Sequence, residues 1–228
     1  MSLRAIIFDF DGVLANSEPL HYQAFRDVLA EEDVALSEAD YYARYLGYDD
    51  MGAFQAIGGD WDRAWSAWRI ADMVAKKAQR MESLESEVSV LFPGAADVVR
   101  RAADAVPIAI ASGALGAEIH RVLEREGLAS CFAAIVAAGD TPASKPSPDP
   151  YLHALARLSS HVGASLRPSE CVAIEDSLWG LESARGAGLR TVAVAQTYPV
   201  QQLSADVVIT AIADLDLMRL ERLTDEAF

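Results

Sequence analysis

Cysteine and histidine are scarce in this chain of 228 residues, which carries two of the first and four of the second. Cys131 and Cys171 stand far apart, and His21, His120, His153 and His161 are scattered. That spacing offers neither a zinc site nor a redox pair, and two buried thiols in a reducing compartment are expected. Positive charge is also short: 19 basic residues against 34 acidic ones leave a formal net charge of −15. Such a balance repels nucleic-acid phosphates and anionic lipid, which excludes both as expected partners. It would repel a phosphorylated substrate too, unless a cation or a local basic patch intervened. No apolar run approaches the ~20 residues of a membrane span. The first strand pattern follows Met1 so closely that no signal peptide is expected, and the protein is read as cytoplasmic. Internal repeats and low-complexity tracts are absent as well.

What is present is apolar substance. The chain is 52% hydrophobic with a mean hydropathy of +0.13, enough for one or two globular domains with a real core. Short β-rich apolar segments recur at residues 6–8, 106–111, 133–137, 171–174, 190–194 and 206–209. Helical patterns at residues 116–127, 150–158 and 178–187 alternate with them. Alternation of this kind predicts a doubly wound, Rossmann-like α/β domain with a parallel sheet covered on both faces. Residues 16–87 differ, because nothing there reads as a buried strand. Helices are expected instead at 19–31, 37–45, 51–57 and 60–84, with a start signal at Ser37 and Asp40 and breaks at Gly47 and Gly58-Gly59. The expected organisation is a core of residues 1–15 and 88–228 interrupted by an all-helical unit of residues 16–87. That unit leaves the core directly after two acids, where it can act as a cap.

Those acids, Asp9 and Asp11, fall where the first apolar strand ends, and Gly12 permits an unusual exit turn. Ligands of open α/β sheets bind outside the carboxyl ends of strands, so the pair suggests a metal and a reaction. The plainer alternative is a strand that ends in solvated acids. Three further polar clusters occupy equivalent places: Ser112-Gly113, Lys145-Pro146 and Glu175-Asp176-Ser177. Singly, each has an ordinary explanation: a capped turn, a solvated loop lysine, a helix start. Together, DFDGVL, ASGA, SKPSPDPY and IEDS resemble the four motifs of the haloacid dehalogenase superfamily. The helical insertion after the first motif resembles the subgroup with an all-helical cap, which includes β-phosphoglucomutase-like and phosphoglycolate-phosphatase-like proteins.

The resemblance implies roles residue by residue. Asp9 matches the nucleophile, which would form an aspartyl-phosphate intermediate. Asp11 matches the general acid and base that serves the leaving alcohol and then water. Ser112 and Gly113 match the phosphate-binding turn, and Lys145 matches the lysine that pairs with both nucleophile and phosphoryl group. Glu175 and Asp176 supply acidic groups facing Asp9. Like charges about 4 Å apart repel by ~4 kcal/mol at an effective dielectric near 20, so a cation is required. Hard oxygen donors without histidine or thiolate favour Mg²⁺. By resemblance its ligands are Asp9, the Asp11 backbone carbonyl and Asp176, with Glu175 in or beside the shell.

The insertion bears on substrate. Trp61, Trp65 and Trp68 at i, i+4 and i+7 predict a packed helix face. Arg69, Met73, Lys76 and Arg80 form a second stripe, best explained by pairing with acids such as Asp72. β-Phosphoglucomutases carry, in the matching cap loop, an arginine that grips a second phosphate; this chain has Asp50 at about that place. An acid there shifts weight from a mutase to a phosphatase. His21 lies where the chain enters the insertion, and a hinge role is as well supported as a substrate contact. Lys76 and Lys77 keep phosphonate chemistry barely open, whereas a dehalogenase would lack Asp11. The expectation is a Mg²⁺-dependent phosphatase of small phosphorylated metabolites, monomeric or weakly dimeric, with a phosphomutase as the alternative. A binding protein that has lost its chemistry would be expected to lack a motif member, and none is missing.

Overall fold

A computed structural model describes residues 3–46, 48–87 and 89–225. The expected break at Gly47 and unit boundary at Val88 lie outside the described residues. The chain forms two compact units, one of Met1–Asn16 with Val90–Phe228, the other of Ser17–Ser89.

The first unit begins with β1 (Ala5–Phe8), whose four residues are all buried. The second unit holds α1 (Glu18–Ala30), α2 (Glu38–Asp40) running into a π-helical turn at Tyr41–Tyr45, α3 (Asp50–Asp60) and α4 (Ala67–Glu87). The first unit resumes with α5 (Ala95–Ala105), β2 (Ile108–Ala111), α6 (Gly116–Arg125), β3 (Phe132–Val136) and α7 (Asp149–Val162). It ends with β4 (Cys171–Glu175), α8 (Leu178–Gly186), β5 (Arg190–Val194), β6 (Val207–Ile209) and α9 (Leu217–Asp225).

All strand pairs are parallel, in the order β3-β2-β1-β4-β5-β6. Register places Ile7 between Ala109 and Ala173. Side chains alternate across the sheet, so Ala5, Ile7, Ala109, Ala111 and Ala173 share one face. These mostly small residues pack with Tyr151, Ala154 and Leu158 of α7 and Ala184 of α8. Ile6, Phe8, Ile110, Val172 and Ile174 alternate with them and are fully buried too. Burial on both faces is why these strands read as unbroken apolar runs, each large aliphatic contributing about 1.5–3 kcal/mol. Strand order reverses beside β1, which opens a crevice at the C-terminal ends of β1 and β4.

The two crossings of the insertion run side by side. Asn16 N–H donates to Val90 O at 2.7 Å, Phe92 N–H donates to Leu14 O at 2.9 Å, and Ala15 bridges Leu91 in antiparallel sense.

The second unit is helical as expected, with Phe25, Leu29, Tyr41, Phe54, Ile57 and Met73 in its core. Ser37 accepts from Asp40 N–H at 3.1 Å, which fixes the start of α2. The expected helix over residues 60–84 needs correction, since α4 begins only at Ala67. Trp61 caps the C-terminus of α3, Asp62 is left-handed at φ 51°, and Ser66 accepts from Arg69 N–H at 3.2 Å to start α4. The three tryptophans therefore share no helix. Trp65 packs on the core, whereas Trp68 is exposed.

The basic stripe pairs with acids of its own unit. Arg69 engages Asp72 and Glu32, Lys76 meets Glu31 at 2.5 Å, and Arg80 meets Asp27 at 2.8 Å. Lys77, 2% exposed, lies 2.5 Å from Asp50 Oδ1 and 2.7 Å from His21 Nδ1, over the Phe25 ring. Cys171 is buried and Cys131 half-buried, both as free thiols. Among the described residues no helix is long and apolar enough to cross a membrane.

Candidate active site

Asp9 follows β1, Ser112 follows β2, Glu175 closes β4 and Asp176 follows it, so the sheet sets four of the motif residues along one edge. Lys145 comes from the loop before α7, next to a cis peptide with Pro146. Its Nζ lies 2.9 Å from Asp9 Oδ2 and 2.6 Å from Glu175 Oε1, tying residues distant in sequence to one point. Carboxylate oxygens of Asp9, Glu175 and Asp176 all lie within 4.8 Å of one another, and all three residues are buried.

Glycine is required at two places around this cluster. Gly12 is left-handed at φ 75°, and a Cβ there would stand 2.0 Å from Asp176 Oδ2. At Gly180 of α8 a Cβ would stand 1.7 Å from Glu175 Oε1, whose side chain is fully buried and has nowhere to retreat. Gly180→Ala is expected to cost at least about 2 kcal/mol by overpacking in a denaturation experiment. Gly113→Ala serves as the control at under about 0.5 kcal/mol, since its Cβ would meet nothing within 4 Å. Equal effects would show that the Gly180 contact does not matter.

Ser112 and Gly113 stand at the tip of β2. Ser112 is buried, and its Oγ accepts from Ala114 N–H at 3.1 Å, which leaves its own proton free to be donated. Asp11 lies half-buried in the exit turn, bridged through its backbone to Ala15. It is not a member of the three-carboxylate group.

Electrostatics in the cluster are strained towards excess negative charge. Burial, then the charge of Glu175, holds the Asp9 carboxyl well above the usual carboxylate range, with Lys145 opposing. Burial and Glu175 push Asp176 up to about 7, with a hydrogen bond from Thr197 opposing. Burial also works to raise Glu175, but the charge and hydrogen bond of Lys145 bring it below its ordinary value. For Lys145 burial opposes the charge, yet Asp9 and Glu175 more than offset it and raise the ammonium pKa. Three buried carboxylates facing one ammonium, with only hard oxygen donors, fit a divalent cation of the hard class.

Several residues near the cluster carried no role in the sequence reading. Gln196 Nε2 donates to Gly12 O at 2.9 Å, while its Oε1 accepts from Ile212 N–H, so it clamps the exit turn from the loop after β5. Its neighbour Thr197 bonds Asp176. A polar pair one residue after a buried strand was the available signal. Tyr151 donates to Glu175 Oε1 at 3.0 Å and sits inside the quoted motif, where it reads as core.

Known proteins resemble this chain in sequence and fold. The chain matches the haloacid dehalogenase-like hydrolase family over residues 3–188. It is 36% identical to Protein CbbY of Rhodobacter capsulatus over 208 residues, covering 87% of this chain and 88% of that protein. It is 30% identical to fructose-1-phosphate phosphatase YqaB of Escherichia coli, over 83% of this chain and 95% of the relative. The crystal structure of CbbY from Rhodobacter sphaeroides in complex with phosphate has a TM-score of 0.79 to it at 29% identity, covering 94% and 96% of the two chains. The family match runs from just before β1 to just past α8 and takes in every member of the acidic cluster; the chain belongs to the haloacid dehalogenase-like hydrolases and is an enzyme of that family.

Proposed function

We propose that this chain is a Mg²⁺-dependent phosphatase that hydrolyses a small phosphorylated metabolite, a sugar phosphate or a phosphoglycolate-like monoester, through an aspartyl-phosphate on Asp9. The observation that carries the reading is Lys145 Nζ held between Asp9 and Glu175, beside Asp176. The named activity of the YqaB relative and the phosphate in the CbbY structure support it.

Asp9, Asp176 and the Asp11 carbonyl would hold Mg²⁺, with Glu175 in or beside the shell; bound there, the ion neutralises charge on the transferring phosphoryl group. Asp9 attacks phosphorus, forming the acyl-phosphate bond as the bond to the leaving oxygen breaks. Asp11 gives that oxygen its proton and then takes one from the water that attacks the acyl phosphate, which restores Asp9. Ser112 O–H and the Gly113 N–H bind phosphoryl oxygens, and Lys145 offsets their charge. The substrate is a small metabolite: at a net charge of −15, neither nucleic acid nor a membrane surface is a partner. The protein acts in the cytoplasm as a monomer or weak homodimer.

The second reading, a β-phosphoglucomutase-like phosphomutase, uses the same residues. Asp50 weighs against it, because its carboxylate takes up the charge of Lys77 and would oppose a second phosphate. A panel of phosphorylated metabolites with Mg²⁺, followed for free phosphate, tests both. Phosphate release that stops with EDTA is expected, whereas isomerised sugar phosphate without net release would establish the mutase.

A further inference from the structure

We infer that Tyr151 is a positioning residue whose hydroxyl fixes Glu175 so that Glu175 can deliver Lys145 to Asp9; this rests on the phosphatase reading of the same site. The two oxygens of Glu175 are held in different ways. Oε2 accepts from Asp176 N–H at 3.0 Å, Ser177 N–H at 3.1 Å and the Ser177 hydroxyl at 3.0 Å, all from its own turn. Oε1 accepts from Lys145 Nζ at 2.6 Å and from the Tyr151 hydroxyl at 3.0 Å. A carboxylate offers about four lone-pair directions, so five donors leave none for another partner. Glu175 is thereby an anchor for Lys145.

Of the five donors, the Asp176 and Ser177 N–H groups, the Ser177 hydroxyl and Lys145 Nζ come from turns and a loop, and Tyr151 alone reaches in from a helix. It lies in the first turn of α7, fully buried among Ala154, Leu158 and the alanines of the sheet. Lys145 leads into that same helix, and its Nζ lies 5.2 Å from the centre of the Tyr151 ring. One rigid segment therefore presents both the ammonium and the hydroxyl that holds the ammonium's partner. The lysine stem is long and flexible, so its reach to Asp9 depends on where Oε1 stands. Oε2 stays pinned by its own turn, but without the hydroxyl Oε1 keeps Lys145 as its one donor, so the angle at which it presents the ammonium to Asp9 is no longer fixed.

Tyr151→Phe keeps the ring and removes only that donor, and Glu175→Gln examines the same link from its other end. Both are compared with the parent for kcat, KM, melting temperature and the separate affinities for Mg²⁺ alone and for inorganic phosphate in saturating Mg²⁺. For Tyr151→Phe, a kcat about tenfold lower with KM little changed and phosphate binding severalfold weaker is expected. Its Mg²⁺ affinity should stay within about threefold, because with Glu175 beside the shell the Tyr151 hydroxyl holds no metal ligand. Were Glu175 in the shell, Tyr151 would be a ligand's direct partner and a loss of about 10–100-fold would follow. Glu175→Gln should weaken phosphate binding in the same sense. A Tyr151→Phe protein with parental kcat and phosphate affinity and only a lower melting temperature would reduce Tyr151 to packing and overturn the inference. So would a tenfold loss of Mg²⁺ affinity in that variant. Should the parent hydrolyse no phosphate ester, the phosphatase reading falls, while the phosphate-affinity ratio still decides the role of Tyr151.

Discussion

Asp9→Asn is expected to lower phosphatase turnover by on the order of 10⁴-fold or more and, without metal, to leave the protein more stable than the parent. The first effect follows from removing the attacking oxygen's charge, since an amide cannot form the acyl phosphate. The second has a different origin. Burial and the nearby Glu175 hold the Asp9 carboxyl above its ordinary range, so ionising it opposes folding. Asparagine has the same shape and no charge, which relieves repulsion against Glu175 and Asp176, while Lys145 retains Glu175 at 2.6 Å. A gain of about 2–4 °C in melting temperature per kcal/mol recovered is expected in EDTA near pH 8. Full turnover in the variant would remove Asp9 as nucleophile, and a melting temperature below the parent's would show that its charge is not the destabilising element.

The second large effect couples metal, proton and stability. Asp176 titrates near 7 in the fold, pushed up by burial and by Glu175, against 3.8 for an unperturbed group. A raised carboxyl binds its proton more tightly when folded, so the metal-free protein is favoured below the unfolded value. That advantage is lost as pH rises through about 7. Melting temperature in EDTA should therefore fall between pH 5 and 8, by an amount on the order of a few kcal/mol in stability. Bound as proposed, Mg²⁺ would compete with those protons for the same oxygens. At a hundred times its Kd it stabilises by ~2.7 kcal/mol, so its increment should be largest at pH 8 and shrink towards pH 5. An increment independent of pH would mean that the ion binds elsewhere.

The sheet was legible in the sequence because buried parallel strands leave an unmistakable mark. Segments such as residues 171–174 and 192–194 are apolar on both faces, and their order with the helices between them pointed to the doubly wound class. The convergence of Asp9, Lys145, Glu175 and Asp176 was foreshadowed by their recurrence at strand ends, although only tertiary structure brings Lys145 to within 2.9 Å of Asp9. The helical insertion was harder to read. Trp61, Trp65 and Trp68 have helical spacing, yet Asp62 turns left-handed between them and Ser66 restarts the helix, so local backbone preference overrode the pattern. Tyr151 was hidden for the opposite reason. An aromatic residue on an apolar helix face reads as core, and nothing local shows that its hydroxyl finds a carboxylate twenty-four positions away.

The paired crossings at Leu14–Asn16 and Val90–Phe92 carry an implication for how such enzymes diversify. Cutting out residues 17–89 would leave two ends on neighbouring rungs of a ladder, roughly 5 Å apart, a gap that a tight hairpin turn spans. The sheet and its acids would then see the same boundary whatever is spliced between those rungs. A different helical module grafted onto this stem would leave the grouping of Asp9, Lys145, Glu175 and Asp176 as it is.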